Sequence, residues 1–177
     1  MNTGPFPFSR LHARALDADE PATFGTAEWS ARALSDLEIL SRAGKLARAE
    51  SAALQAAIQQ RDPSTARAAL THNDFCAENM LIDTRGHLRV IDNERLAIAP
   101  AGFDVGRTFD RWPMSEDAWA CFRRGYRSSA PADVEALGFW KIVAALVGAR
   151  VRYQRSPERL DAALALLRRF AAGRSLL

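Results

Sequence analysis

Apolar positions recur at helical spacing along most of the chain, and one short stretch breaks the rhythm. Trp29, Ala33, Leu37 and Leu40 fall on one face of a helix that Thr26 can cap and Gly44 can end, reaching about Ala43. Leu46, Ala53, Leu54, Ala57 and Ile58 mark a second helix over about 46–60, broken by Asp62-Pro63. Upstream, residues 10–16, with Leu11 and His12, read as a short helix and 17–25 as a loop. The break comes at Met80-Leu81-Ile82 and His87-Leu88-Arg89-Val90-Ile91. These runs flank Asp83-Thr84-Arg85-Gly86 and predict a β-hairpin.

Beyond the hairpin the helical pattern returns. Residues 102–110 read as helix, Ser115 can cap another through Arg127, and Asp133 opens a long one to about Tyr153. That last helix is apolar on most sides (Val134, Leu137, Phe139, Trp140, Ile142, Val143, Leu146, Val147, Val151), which predicts a buried central element. Ser156-Pro157-Glu158 then starts a helix, with Ser at the N-cap, Pro in the first turn and a carboxylate near the positive end of the dipole. Leu160, Leu164 and Leu167 give it an inner face. The pattern as a whole predicts a mainly helical α+β fold. It forms one domain over 1–177, partly irregular over 1–25, with its chemistry in 70–110.

Composition changes this picture little. With 177 residues, 48% of them apolar, the chain can build one core. Cys76 and Cys121 lack C-x-x-C spacing, so neither a zinc site nor a disulfide framework is indicated and a reducing compartment is expected. The start Met1-Asn2-Thr3-Gly4-Pro5-Phe6 has no basic or apolar leader pattern, and the longest apolar run, 142–149, is too short to span a bilayer. A cytoplasmic protein without a membrane partner is expected. Net charge is +3, and all of the basic residues except Lys45 and Lys141 are arginines, scattered among acidic residues. That scatter argues against a nucleic-acid partner.

The chemistry-bearing motif is His72-Asn73-Asp74-Phe75-Cys76-Ala77-Glu78-Asn79, an H-x-D-x-x-x-x-N loop, with Asp92 thirteen residues further on in Val90-Ile91-Asp92-Asn93-Glu94. Phosphoryl transfer asks for few protein groups: a carboxylate to take the proton of an attacking hydroxyl, and oxygen ligands to hold Mg²⁺ against nucleotide phosphates. Asp74, Asn79 and Asp92 supply those groups in order. The segment 70–109 resembles the aminoglycoside phosphotransferase and choline kinase family, whose pattern runs H-G-D-x-x-x-x-N-h-h-h, a hairpin, h-h-D-x-E, then Y-D or F-D. Here these are Thr71-His72-Asn73-Asp74 through Asn79-Met80-Leu81-Ile82, then Ile91-Asp92-Asn93-Glu94, then Phe103-Asp104.

The resemblance implies a protein-kinase-like C-lobe whose small hairpin carries the catalytic and metal-binding loops, with ATP as co-substrate and Mg²⁺ as cofactor. It makes Asp74 the catalytic carboxylate and Asn79 and Asp92 the metal and nucleotide contacts, while His72 braces the loop rather than transferring protons. Glu94 would orient the metal shell, reach substrate, or simply be solvated. Asp104 would anchor the following loop or cap a helix. Asn73 replaces the usual Gly, and Asn tolerates a positive φ better than most residues. His12 and His87 read as structural or solvated.

The chain departs from the family upstream. Only 71 residues precede His72; Gly4, Gly25 and Gly44 form no cluster, and Lys45 lies between helices rather than on a strand. A kinase-type N-lobe, with its glycine-rich cover and phosphate lysine, is therefore expected to be absent, with Leu11-His12 in the first long C-lobe helix. Turnover then needs an N-lobe from a partner chain, and the uncovered face invites such a partner or self-association. Residues 115–177 carry eleven basic against six acidic side chains, which favours a neutral or anionic hydroxyl acceptor over a polycationic aminoglycoside. Trp112, Trp119, Phe122, Tyr126, Trp140 and Tyr153 could line a cage for a quaternary ammonium, although their helical spacing suits a core. The expected function is ATP-dependent phosphorylation of a small-molecule hydroxyl. The alternatives are a non-catalytic kinase-like binding or regulatory module and a truncated, inactive remnant.

Overall fold

The computed structural model describes residues 13–14, 16, 22–112, 114–127 and 136–173. Leu11 and His12 of the expected first helix, and Asp133 at the expected start of the long helix, lie outside them. The fold is α+β and mainly helical. Strand β1 (Thr23–Gly25) leads into helices α1 (Ala27–Arg42) and α2 (Arg48–Arg61), then strand β2 (Thr65–Thr71). The hairpin β3 (Met80–Ile82) and β4 (Leu88–Val90) follows, then β5 (Ala97–Pro100) and helices α3 (Ala101–Arg111), α4 (Glu116–Arg127), α5 (Leu137–Arg155) and α6 (Leu160–Ala171).

Helix α1 ends in a Schellman motif: Gly44 takes φ 66°, its N–H donates to Ser41, and the Lys45 N–H reaches back to Leu40. The start of α1 differs from expectation. The Thr26 hydroxyl does not cap the helix but donates to Asp62 beyond α2, as does the Ser30 hydroxyl. Asp62 thereby ties the end of α2 to the start of α1, and it also accepts the Ser64 N–H at 2.9 Å. Helix α2 starts two residues later than its apolar pattern suggests. Leu46 is buried ahead of it, and the Glu50 carboxylate accepts the Ala47 N–H at 2.7 Å.

The expectation of a single β interruption is corrected. Besides the hairpin there is a three-stranded antiparallel sheet of order β1-β2-β5, with Phe24 opposite Ala66 and Leu70 opposite Ile98. Residues 23–25, read as loop, are its first strand. Strand β2 is Thr-Ala-Arg-Ala-Ala-Leu-Thr, whose alanines carry little β-propensity. It forms because neighbouring strands pair it and because Ala66, Ala68 and Ala69 are small enough to bury under the helices.

The hairpin matches its prediction with shorter strands, pairing Met80 with Val90 and Ile82 with Leu88. Its turn is held by Asp83, which accepts the N–H groups of Arg85 and His87 at 2.9 Å, and Gly86 takes φ 77°. The hydrogen bond from the His87 N–H, with help from Arg89 and Arg85, outweighs desolvation and holds the Asp83 carboxyl down at about 2. Ser115 does cap α4, its Oγ accepting the Ala118 N–H at 3.2 Å. Ser156 makes no such bond. The chain instead passes through a 3₁₀ turn at Pro157–Arg159 before α6 begins, and Leu160, Leu164 and Leu167 point inward as expected.

Helix α5 is the centre of the core. Phe139, Trp140, Ile142, Val143 and Leu146 are all essentially inaccessible, against α1, α2, α3 and α6. A buried charge on this helix, Lys141, lies 4.1 Å from the Phe109 ring centroid and 4.8 Å from that of Trp119. Burial, with the Arg123 charge second, pushes its pKa down to about 8. A second cluster gathers Phe75, Val105, Trp119, Phe122 and Tyr126. The aromatic residues considered for an ammonium cage thus divide between two cores. Trp140 and Tyr153 belong to the first and Trp112, Trp119, Phe122 and Tyr126 to the second.

Helix α3 packs on α5 at backbone contact, and glycine permits it. A Cβ on Gly102 would stand 2.2 Å from the Trp140 ring, and one on Gly106 would stand 2.5 Å from the Trp140 carbonyl oxygen. Gly106→Ala gains about 1 kcal/mol of helix propensity, but it must push the two helix backbones apart, at a cost of about 3 kcal/mol. The variant is expected to lose about 2 kcal/mol by urea denaturation. An unchanged midpoint would show that α3 can slide away without penalty.

Candidate active site

The loop 72–79 runs from the end of β2 to the start of β3, and contacts from three directions hold it. From α3, the fully buried Asp104 accepts two backbone N–H groups at 2.7 Å, that of His72 on Oδ2 and that of Asn73 on Oδ1. From below, the buried His72 ring binds the Ile91 carbonyl through Nε2 at 3.1 Å. A carbonyl only accepts, so the proton sits on Nε2. From the side, the Asn73 amide donates to the Arg95 carbonyl at 3.0 Å and to the Thr71 hydroxyl at 2.9 Å. Asn73 takes φ 62°, the conformation that Gly would otherwise supply, and its side chain adds two bonds that Gly could not make.

Asn79 and Asp92 lie at the same end of the hairpin. The Ile91 N–H donates to the Asn79 carbonyl at 3.0 Å, extending the β3–β4 ladder by one pair, and Asp92 follows immediately. The Asn79 amide donates to the Asp74 carbonyl at 2.9 Å, which fixes its NH₂ toward the loop and leaves Oδ1 to face elsewhere. Asp92 is exposed and holds φ 61°, ψ 54°, an uncommon left-handed conformation at a non-glycine residue. Glu94 is exposed in the 3₁₀ turn Asn93–Arg95.

Could these residues hold a magnesium ion? Among the described residues no three His, Cys, Asp or Glu side chains gather as a metal cage. Mg²⁺ does not need one: it keeps several waters and binds through one or two protein oxygens plus substrate phosphates. The Asn79 amide oxygen and the exposed Asp92 carboxylate are hard oxygen donors, and they fit that requirement.

The sequence reading missed the arginines that flank Asp74. Arg107 Nη2 lies 3.6 Å and Arg111 Nε 3.2 Å from Asp74 Oδ1, both from α3. Oδ1 is buried and neither contact is aligned as a hydrogen bond, so the attraction is coulombic. Oδ2 is the oxygen left for a hydroxyl. Arg107 also pairs with Asp110 at 3.2 Å, and Asp110 with Arg152 of α5 at 3.0 Å, in space that Gly148 leaves open. Desolvation pushes the buried Arg107 below its ordinary pKa, against the pull of Asp110 and Asp74. For Arg111 desolvation works the same way, but Asp74, Cys76 and Glu78 outweigh it and the shift is upward. Both stay cationic. A signal was present: Asp104, Arg107 and Arg111 stand at i, i+3 and i+7, one face of a helix.

A buried carboxylate thus clamps the H-x-D loop, and an amide and a second carboxylate stand at the mouth of the hairpin. Residues 5–140 match the model of the phosphotransferase enzyme family (APH), and the chain belongs to that family. The resemblance read from 70–109 is borne out. No curated protein and no solved structure matches the chain. Among the described residues no helix is long and apolar enough to cross a membrane.

Proposed function

We propose that this chain is a kinase-like C-lobe that phosphorylates a hydroxyl of a small neutral or anionic molecule, with ATP and Mg²⁺. The observation that supports this reading is the double clamp of Asp104 on the His72 and Asn73 N–H groups, which holds the loop that bears Asp74, while the Asn79 amide ties the Asp74 carbonyl to the end of the hairpin that Asp92 follows. The acceptor oxygen forms a bond to the γ-phosphorus and gives its proton to Asp74, while the bond from that phosphorus to the ADP oxygen breaks. Mg²⁺, when bound, neutralises phosphate charge, and Asn79 and Asp92 would hold it. Arg107 and Arg111 steady the Asp74 side chain, and His72 ties the loop to the segment that bears Asp92.

Two observations support a nucleotide lobe supplied from elsewhere, by a partner chain or a further segment. The first is the lysines. Lys45 follows the C-terminus of α1 and Lys141 is buried beneath aromatic rings, so neither suits the phosphates. The second is exposed apolar surface on the hairpin and the segment after it: Leu81, Ile82, Ile91 and Leu96 are all exposed, and Ile91 directly precedes Asp92. A cytoplasmic location accords with this reading.

The test is nucleotide-dependent stabilisation. Mg²⁺ with ATP at tenfold its dissociation constant contributes about 1.4 kcal/mol, which for a chain of this size raises Tm by about 3–6 °C. Asp92→Ala is expected to abolish the rise, and Asp92→Asn, which keeps the left-handed tolerance, to reduce it sharply. Equal rises in all three proteins would remove Asp92 from the metal site.

A further inference from the structure

A cavity of about 510 Å³ opens between α3 and α6, within the usual range of small-molecule sites. Its floor is apolar, with Phe109 and Leu166 among the side chains. Its rim is cationic: Arg111, Arg159 and Arg169, together with Arg152. The lining contains one acidic residue, Asp110, whose side chain is 2% exposed and already bound by Arg107 and Arg152, so it offers nothing to a ligand. Close by, Glu78 lies near enough to Arg111 and Arg159 for their charges to lower its pKa, after its own backbone N–H and the Cys76 thiol. Glu158 stands 4.0 Å from Arg159, both well exposed. Among the described residues no carboxylate pairs with Arg169. Arg111 also has Asp74 at 3.2 Å, so the cation of the lining that is left over is Arg169.

The cavity also has a direction. Arg111 lines it and lies 3.2 Å from Asp74 Oδ1, so the pocket ends one guanidinium away from the catalytic carboxylate. Resting on the phosphotransfer reading above, we propose that this cavity is the acceptor site and that its ligand is a small hydroxylated compound with an apolar body and an oxyanion, carboxylate or phosphate. Arg159 and Arg169 grip the oxyanion by charge-assisted hydrogen bonds, Phe109 and Leu166 cover the apolar body, and the hydroxyl is directed past Arg111 to Asp74. A polycation meets like charge at the rim and is rejected.

Calorimetric titration of the full chain without nucleotide tests this separately from catalysis. The probes are para-hydroxyphenylacetate and phenyl phosphate as anions, tyrosol as neutral control and tyramine as cationic control. At least one anion is expected to saturate at about millimolar concentration or below, with tyrosol and tyramine at least about tenfold weaker. Preference between the two anions identifies carboxylate or phosphate as the natural group. Arg159→Gln with Arg169→Gln, both exposed positions whose change should leave the melting temperature in place, should weaken the anion about tenfold or more. Equal binding of all four probes, no saturable anion, or an anion affinity unchanged in the double variant would overturn the proposal. Failure of the metal test at Asp92 would leave this binding intact, so the two readings can fall separately.

Discussion

If the proposed function holds, Asp74→Asn is expected to reduce phosphotransfer, in an assembly that holds nucleotide, by about two to four orders of magnitude while the chain stays folded. Asn keeps the shape of the carboxyl group but cannot take the acceptor proton, and a positioned general base contributes about 10²–10⁴ in rate. Folding is spared for a reason visible in the ion pairs. Arg107 keeps Asp110 as its partner, and Arg111 is one-third exposed, so water can take over what Asp74 gave it. A stability loss of about 1 kcal/mol is expected, as for a partly exposed pair. Steady-state kinetics and a thermal melt of the same preparation decide the matter. Retained activity, or a collapsed fold, would make Asp74 a structural residue and favour the non-catalytic module, a reading to which the engagement of Oδ1 by two guanidiniums lends some support.

Asp104→Ala should do the reverse, damaging the fold first and activity through it. The carboxylate is fully buried and takes two short hydrogen bonds from consecutive loop amides. Hydrogen bonds to a charged group contribute about 1.5–3 kcal/mol each, and their loss strands buried donors, so about 3–5 kcal/mol is expected. For a chain of this length that lowers Tm by about 10 °C or more. Asp104→Asn keeps one acceptor oxygen and turns an NH₂ toward the other amide, so its loss should fall between wild type and Ala. Hydrogen exchange separates this clamp from general destabilisation: the His72 and Asn73 amides should lose protection before those of β2 do. A loss below about 1 kcal/mol with both amides still protected would assign the loop geometry to His72 and Asn73 alone.

The two residues would divide the work of the proposed site: Asp104 places the loop through the His72 and Asn73 N–H groups, and Asp74, which that loop carries, is the proposed catalytic carboxylate. Three further ties connect that loop to the segment carrying Asp92: His72 to Ile91, Asn73 to Arg95, and Ile91 to Asn79. Catalysis of phosphoryl transfer is mostly positioning and charge neutralisation, so a rigid relation between Asp74 and Asp92 is what such a fold must supply.

What the sequence by itself determined was local. The H-x-D-x-x-x-x-N spacing, the Asp83–Gly86 turn, the glycine end of α1 and the apolar character of α5 depend on neighbours within a few residues, and each has the expected form. Asn73 takes the positive φ its residue type allows. Tertiary structure decided everything that depends on which faces meet. The alanines of β2 favour a helix until β1 and β5 pair with them. The Thr26 hydroxyl leaves its helix for Asp62, a partner 36 residues away. Arg107 and Arg111 reach Asp74, and Asp110 reaches Arg152, because α3 packs on α5 where Gly106 admits the Trp140 backbone, Gly102 admits the Trp140 ring and Gly148 leaves room for the Asp110 and Arg152 side chains. The arginines that line the cavity come from α3, α5, the turn before α6 and α6 itself, elements far apart along the chain. Propensity and turn chemistry act over a turn or two of chain, whereas an ion pair or a strand partner is chosen by the packing of whole elements.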